Sequence, residues 1–138
     1  MAAYALDANP QWVKIASFTE TSISIANTVA TVTCDPLQSK GGGSLIVHDC
    51  LVRVNEVFDG AGTVTISVGK TAALTRFANV VDGETLGDSL GSGTSGAKAA
   101  YAEAKGVIPL ITITSSSGNI STFTTGKADV YLLVSAAP

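Results

Sequence analysis

Short runs in which apolar and polar residues alternate constrain the fold more than any other feature of the sequence. The clearest is TVTISV, residues 63–68, where Val64, Ile66 and Val68 would face one side and hydroxyl residues the other. Successive side chains of a strand point to opposite faces of a sheet, so this period of two predicts a half-buried strand. Similar runs, rich in Val, Ile and Thr, cover residues 12–18, 21–27, 28–33, 44–58, 107–114 and 128–135. Together they predict an all-β protein.

Turn residues separate the runs, as in FDGAGT at residues 58–63, where Asp59-Gly60 joins two alternating stretches. The pattern predicts an antiparallel β-sandwich, jelly-roll-like, formed by a single domain over residues 1–138 with residues 1–11 as an N-terminal arm. Residues 82–106 are Gly-rich and then Ala-rich, which predicts one long loop. The good helix formers of AKAAYAEAK, residues 97–105, would place a short helix within it.

The composition argues against several classes of partner. Charged residues make up 14% of the chain and the net charge is −3, so we expect no nucleic-acid partner, which would require a basic face. No apolar run approaches about 18 residues, so we expect no membrane partner. The first twelve residues lack a basic and apolar leader, which predicts a protein that stays in the cytosol or leaves it by another route.

The tripeptide Gly69-Lys70-Thr71 raises the possibility of a nucleotide-binding loop. Such a loop requires a second glycine five residues before the first glycine of the tripeptide, and Val64 occupies that place within an alternating run. We therefore interpret Gly69-Lys70 as the end of a strand, and we expect no cofactor.

The sequence offers few groups for metal binding or catalysis. His48 and Cys50 would point to the same side of a strand, and Cys34 could add a third ligand, but the paired spacing of structural zinc sites is absent. We expect no metal and two free buried thiols, with a Cys34–Cys50 disulfide as the alternative if their strands adjoin. His48 is the one histidine, and no motif marks a nucleophile beside it, so we expect no enzymatic activity.

Aromatic and apolar residues on the N-terminal segment and the middle of the chain are candidates for contact with another chain. Trp and Tyr commonly anchor protein interfaces. The candidate interface residues are Tyr4, Leu6, Trp12, Phe77 and Tyr101.

The segment LVRVNEVFDGAGTVTISVGKTAALTRFANV, residues 51–80, resembles a known family. Phe58-Asp59-Gly60, Gly62-Thr63, Val68-Gly69 and Arg76-Phe77 match a pattern of the capsid decoration proteins of tailed bacteriophages, also called cement or head-stabilisation proteins. The Gly-rich middle and the last strand, GKADVYLLVS, also fit, whereas the N-terminal segment is longer than in the family.

This resemblance implies a structural protein of the virion. Such proteins bind the outer surface of the capsid, commonly as trimers, and stabilise the head by bridging subunits of the major capsid protein. The resemblance therefore implies the major capsid protein as partner, a homotrimer as assembly, synthesis in the host cytoplasm and a final place on the capsid exterior.

Two other functions remain open at this stage. The first is a receptor- or glycan-binding β-sandwich module of a phage tail fibre, with Tyr4, Trp12 and Tyr101 as its binding platform. The second is a minor hydrolase that uses His48.

Overall fold

The alternating runs form the β-strands that the sequence predicts, with one exception. The structure, a computed structural model, describes residues 4–6, 9–90 and 101–137. Within that part the strands are β1 Tyr4–Leu6, β2 Gln11–Thr19, β3 Val29–Thr33, β4 Leu37–Ser39, β5 Leu45–Glu56, β6 Val64–Lys70, β7 Ala73–Asp82, β8 Gly87–Leu90, β9 Tyr101–Glu103, β10 Leu110–Ser115 and β11 Lys127–Ala136. One short 3-10 helix, Ile120–Thr122, precedes β11. Among the described residues no helix has the length and apolar character needed to cross a membrane.

The strand order is that of a jelly roll. One sheet has the order β2-β11-β5-β8, with β9 also paired to β5, and the other has the order β3-β10-β6-β7. If β8 and β9 count as one strand and the small β1-β4 pair is set aside, these orders become 1-8-3-6 and 2-7-4-5. All neighbours in both sheets are antiparallel, and two interlocked Greek keys give this arrangement. The predicted all-β, jelly-roll-like sandwich is confirmed.

The core lies between the inner faces of the two sheets, where every second side chain is buried. Its largest fully buried side chains include Phe58, which packs beside Phe18 and Phe123 with ring centroids 5.9 and 6.3 Å away. Strand residues that contribute to the core include Val13, Ile15, Val47, Val52, Val64, Ile66, Val68, Phe77, Ile111, Ile113, Val130, Leu132 and Val134. Burial of alternate apolar residues from both sheets therefore explains the period of two in the sequence.

The predicted strand over residues 21–27 is wrong. These residues form turns between β2 and β3, although Ile23 is buried. The Ser22 hydroxyl accepts a hydrogen bond from the Thr19 backbone N–H at 2.8 Å and donates to the Thr19 carbonyl at 2.9 Å. Such local bonds satisfy the backbone without a neighbouring strand, and so they compete with sheet formation.

The predicted long loop over residues 82–106 is interrupted by two strands. β8 pairs with Leu51–Val54 of β5, and β9 pairs with Leu45–Val47 of the same strand. The predicted helix over 97–105 is therefore wrong at Tyr101–Glu103, and its residues 97–100 lie outside the described part. The edge of β5 offers backbone hydrogen bonds, which override the helical propensity of a short Ala-rich segment.

The predicted N-terminal arm contains a paired strand. β1 lies parallel to β4, with Tyr4 opposite Leu37 and Leu6 opposite Ser39, and β2 begins at Gln11. Whether residues 1–11 act as an arm stays a prediction. The same holds for one domain over residues 1–138, since residues 1–3, 7–8, 91–100 and 138 lie outside the described part.

The Gly69-Lys70 pair ends β6, as interpreted from the sequence, and Gly69 has a steric role there. A side chain at this position would overlap the carbonyl oxygen of Ala73 and lie 2.5 Å from the carbonyl carbon of Leu74. Both atoms belong to the backbone of β7, which cannot move without disturbing the hairpin. Glycine is therefore required at this position, because the backbone of β7 lies too close to that of β6 for a side chain.

We expect Gly69→Ala to lower the free energy of unfolding by about 3 kcal/mol, because the added methyl group forces two paired backbones apart. Urea unfolding followed by circular dichroism measures the change. Gly43→Ala is the matched control, since a Cβ at Gly43 meets nothing within 4 Å. A Gly69→Ala protein as stable as the control would contradict this steric role.

Candidate functional site

The strand registers define two ends of the sandwich. Lys70 lies opposite Ala73, and Gly69 lies opposite Leu110, at one end, which we call the Lys70 end. Leu45 and Ala136 are paired at the same end of the other sheet. The opposite end, which we call the Asp59 end, holds the connection between β5 and β6 and the first residues of β11.

Four of the five predicted contact residues lie toward the Lys70 end. Tyr4 and Leu6 belong to β1, whose partner β4 is held by hydrogen bonds between Leu37 and residues 106–107. Trp12 is the second residue of β2, and Tyr101 is the first of β9, opposite Val47. The fold thus brings segments that are distant in sequence to one end of the molecule.

Phe77 does not fit its predicted contact role. Its side chain is 3% exposed and belongs to the core between the two sheets. The alternation of β7 turns Phe77 inward, whereas Leu74 on the same strand is 44% exposed. The match of Arg76-Phe77 to the family pattern therefore rests on a core residue.

The outer face of the β2-β11-β5-β8 sheet carries apolar and aromatic groups. Trp12 is 46% exposed and lies opposite the half-buried Leu133 of β11. One row further along, the ring of Tyr131 lies between two cations. Lys14 Nζ is 5.8 Å and Arg53 Cζ 5.5 Å from the ring centroid. Such cation–π contacts hold the ring in place and leave Trp12 as the most exposed aromatic group of this face that the structure describes.

The outer face of the other sheet is polar and almost uncharged. Thr112 of β10 lies between Thr31 of β3 and Ser67 of β6, and the neighbouring Thr114 lies opposite Thr65. These rows of hydroxyl residues present no group with strong affinity for ions. The two faces of the sandwich therefore differ in chemistry: the face that carries Trp12 also holds charged side chains such as Lys14 and Arg53, whereas the other presents mainly hydroxyl groups.

A buried ion cluster joins the two sheets at the Lys70 end. The Glu103 side chain is 1% exposed, and its Oε2 atom lies 2.7 Å from Lys70 Nζ. Its other oxygen, Oε1, accepts a hydrogen bond from Arg76 Nε. Glu103 lies on β9 of one sheet, whereas Lys70 and Arg76 lie on β6 and β7 of the other. The cluster therefore holds the short strand β9 against the opposite sheet.

The role of Lys70 differs from that of a phosphate-binding lysine. It ends an extended strand and pairs with a buried carboxylate, so its ammonium group is already engaged. This pairing was not predicted from the sequence, since Lys70 and Glu103 are 33 residues apart. The signal that could have indicated an acidic partner is the pair of basic residues on either side of the β6–β7 turn, Lys70 and Arg76.

His48 hydrogen-bonds to Ser135 across the β5–β11 pair, with 2.8 Å between His48 Nε2 and Ser135 Oγ. Within the described residues this hydroxyl is its one side-chain hydrogen-bond partner. Ser135 is 3% exposed, so its hydroxyl is hidden from a substrate in solution. The pair satisfies two polar groups inside the sheet, which is what a structural histidine requires.

Cys34 and Cys50 are free buried thiols, as predicted, and not a disulfide. Burial, with a smaller contribution from Asp35, raises the pKa of Cys34 to about 11. Burial, followed by the nearby Asp49 and Cys34, raises the pKa of Cys50 as well. Both thiols therefore stay protonated and unreactive at neutral pH. In the part of the chain that the structure describes, no three His, Cys, Asp or Glu side chains come together as a metal-binding group.

The Phe58-Asp59-Gly60 motif has a structural role at the Asp59 end. Asp59 accepts hydrogen bonds from the hydroxyl and backbone N–H of Thr124 and from the Thr125 N–H, the two backbone bonds measuring 2.8 and 3.1 Å. Gly126 follows with φ 147°, and a side chain there would overlap the Phe58 ring. The motif thus fixes the turn that leads into β11.

The similarity of this chain to known proteins lies in its fold. No family model matches the chain, and no curated protein matches it. Among solved structures, the chain is similar to one in "Cyanophage Pam1 capsid asymmetric unit", with a TM-score of 0.61 and 14% sequence identity. The likeness covers 99% of this chain and 91% of that chain. At this identity it shows a shared fold over the whole of the described sandwich.

We expect Glu103→Gln to lower the free energy of unfolding by about 2 kcal/mol, because Lys70 and Arg76 lose the carboxylate that compensates their partial burial. Chemical unfolding of both proteins measures the difference. Asp88→Asn is the control, since it removes an exposed ion pair with Arg53 and should cost much less than Glu103→Gln. Equal losses in the two variants would contradict a special role for the buried cluster.

We also expect the contribution of Asp59 to depend on pH. The Thr124 hydroxyl, followed by the backbone N–H groups, holds the pKa of Asp59 below its usual value. Its stabilisation is therefore complete above about pH 4 and is lost as the pH falls through the lowered pKa. Asp59→Asn should cost about 1 kcal/mol at pH 7, discounted for exposure, and progressively less in acid.

Urea unfolding at several pH values between 7 and 3 measures this dependence. Glu84→Gln, which changes a half-buried carboxylate at the Asp59 end, serves as the control. A loss in Asp59→Asn that stays constant across this range would show that charge is irrelevant to the turn.

Proposed function

We propose that the protein is a structural component of a tailed-bacteriophage virion. In this proposal it binds the outer surface of the capsid and stabilises the head by bridging subunits of the major capsid protein. The observation that carries the proposal is the likeness over nearly the whole of both chains to a chain of a phage capsid asymmetric unit. The likeness covers 99% of this chain and 91% of that chain, so it extends over both sheets of the sandwich.

The arrangement of polar groups supports a role in binding rather than catalysis. The His48–Ser135 pair is used inside the sheet, Lys70 is engaged by Glu103, and both thiols are buried. We therefore propose that the protein is not an enzyme and requires no cofactor. Its contacts would come from exposed apolar residues such as Trp12 and Leu74, surrounded by uncharged hydroxyl groups.

We further propose that the protein acts as a homotrimer, made in the host cytoplasm and located on the capsid exterior. Edge strands support self-association, since β2, β3 and β7 each have one side without a partner strand among the described residues. Contacts between copies would cover such edges, which otherwise favour aggregation. Several copies linked in one trimer would also bind a lattice more tightly than each contact alone.

The exposed Trp12 favours a second candidate function, that of a receptor- or glycan-binding module of a tail fibre. A flat indole on the outer face of a sheet can stack against a sugar ring. A glycan array separates the two functions. Sugar binding that is lost in Trp12→Ala would favour the module over the capsid component.

For the capsid role, we expect the purified protein to sediment with empty capsids assembled from the major capsid protein of the same genome. Bound capsids should also withstand a higher temperature before they fall apart, because bridged subunits separate less readily. Occupancy is measured by quantitative gel analysis of gradient fractions, and an unrelated capsid serves as the control. No occupancy at micromolar protein would reject the proposal, and light scattering of the free protein tests the trimer.

A further inference from the structure

The charges of this protein are segregated along the long axis of the sandwich. At the Lys70 end, the described residues include four cations and three acids: Lys40, Lys70, Arg76 and Lys105 against Asp35, Asp49 and Glu103. At the Asp59 end they include one cation and five acids: Lys127 against Glu20, Glu56, Asp59, Asp82 and Glu84. A chain with a net charge of −3 therefore has one basic end.

The two ends act as separate electrostatic surfaces. β2 runs from one end to the other over nine residues, which corresponds to roughly 30 Å of extended chain. The Debye length at physiological ionic strength is about 8 Å. The acids of the Asp59 end are therefore screened from any partner that approaches the Lys70 end.

The buried ion cluster contributes to the positive charge of the Lys70 end. Glu103 carries one negative charge and contacts two cations, so the cluster retains a net charge of +1. The side chains of Lys70 and Arg76 are 33% and 28% exposed, which leaves part of each cation in contact with solvent. Lys105 follows Glu103 by two residues and is exposed.

Exposed apolar residues lie beside these cations. Leu74, the second residue of β7, is 44% exposed, and Ile108, in the segment before β10, is 45% exposed. Trp12 lies at the same end of β2. Protein interfaces are enriched in Trp, Tyr and Arg and depleted in Asp, Glu and Lys. The Lys70 end offers Trp12, Arg76 and exposed apolar side chains, and its lysines add positive charge that attracts an acidic partner, whereas the Asp59 end is dominated by carboxylates.

We propose that the Lys70 end is the docking surface of the protein and that its partner is an acidic protein surface with apolar residues at its centre. This inference rests on the proposed function, in which that partner is the outer surface of the major capsid protein. The Asp59 end then points away from the lattice. Opposite charges on the two surfaces orient the protein as it approaches and accelerate association.

The experiment compares two charge reversals that have the same effect on net charge. Lys105→Glu changes an exposed cation at the Lys70 end, and Lys127→Glu changes an exposed cation at the Asp59 end. Binding of each variant and of the unchanged protein to the homologous empty capsids is measured by sedimentation. The NaCl concentration is varied from about 0.05 to about 1 M, which shortens the Debye length from roughly 14 to roughly 3 Å. Circular dichroism confirms that each variant is folded.

We expect Lys105→Glu to weaken capsid binding roughly fivefold at low salt, because an attractive contact becomes repulsive. The difference should disappear at high salt, and Lys127→Glu should bind like the unchanged protein. If Lys127→Glu is the weaker binder, or if neither variant differs, the inference is overturned while capsid binding itself stands. If the unchanged protein does not bind capsids at all, the proposed function fails first and the inference fails with it.

A second copy of the chain is the competing partner, since the Asp59 end of one molecule could meet the Lys70 end of another. Light scattering over a range of protein concentrations tests this without capsids. If the measured mass increases with protein concentration, and if Lys105→Glu removes this increase, the inference is overturned. The Lys70 end would then be a surface for self-association. An unchanged mass in both variants supports the capsid as partner.

Discussion

The antiparallel ladder between β5 and β11 is the contact on which the rest of the structure depends. Its partners are far apart in sequence, from 71 residues between Glu56 and Lys127 to 91 between Leu45 and Ala136. Among the described residues β11 is the one strand paired with β2, so it holds the edge that carries Trp12. Four of its side chains, Ala128, Val130, Leu132 and Val134, are completely buried in the core. Formation of the β5–β11 ladder completes the jelly roll and determines which residues lie at the Lys70 end and which at the Asp59 end.

Most residues that match the pattern of phage decoration proteins have roles in the scaffold of the sandwich. Phe58 and Asp59 secure the turn into β11, Gly69 permits the close approach of β7, and Phe77 lies in the core. Arg76 joins the two sheets through Glu103. A likeness in such positions accords with a shared fold, as does the structural match at 14% identity. Of the residues proposed to contact a partner, Trp12, Lys105 and Ile108 lie outside this segment, whereas Leu74 lies within it.

Sequence reasoning located six of the eleven described strands and did not mark β1, β4, β7, β8 or β9. The period of two identified β2, β3, β5, β6, β10 and β11, because a half-buried strand requires it. It failed at residues 21–27, where Ser22 bonds to Thr19, and at Tyr101–Glu103, where the edge of β5 captures an Ala-rich segment. Of the contact residues, Trp12 is exposed as expected, whereas Phe77 is buried because β7 turns it inward.

The sequence by itself determined the class of fold and the absence of a phosphate loop, since alternation and glycine spacing are local properties. Only the tertiary structure decided the jelly-roll order, the pairing of Glu103 with Lys70 and Arg76, and the separation of basic and acidic residues between two ends. The reason is physical. Charges that are dispersed along a chain become segregated in space only when strands of alternating direction place every second turn at the same end.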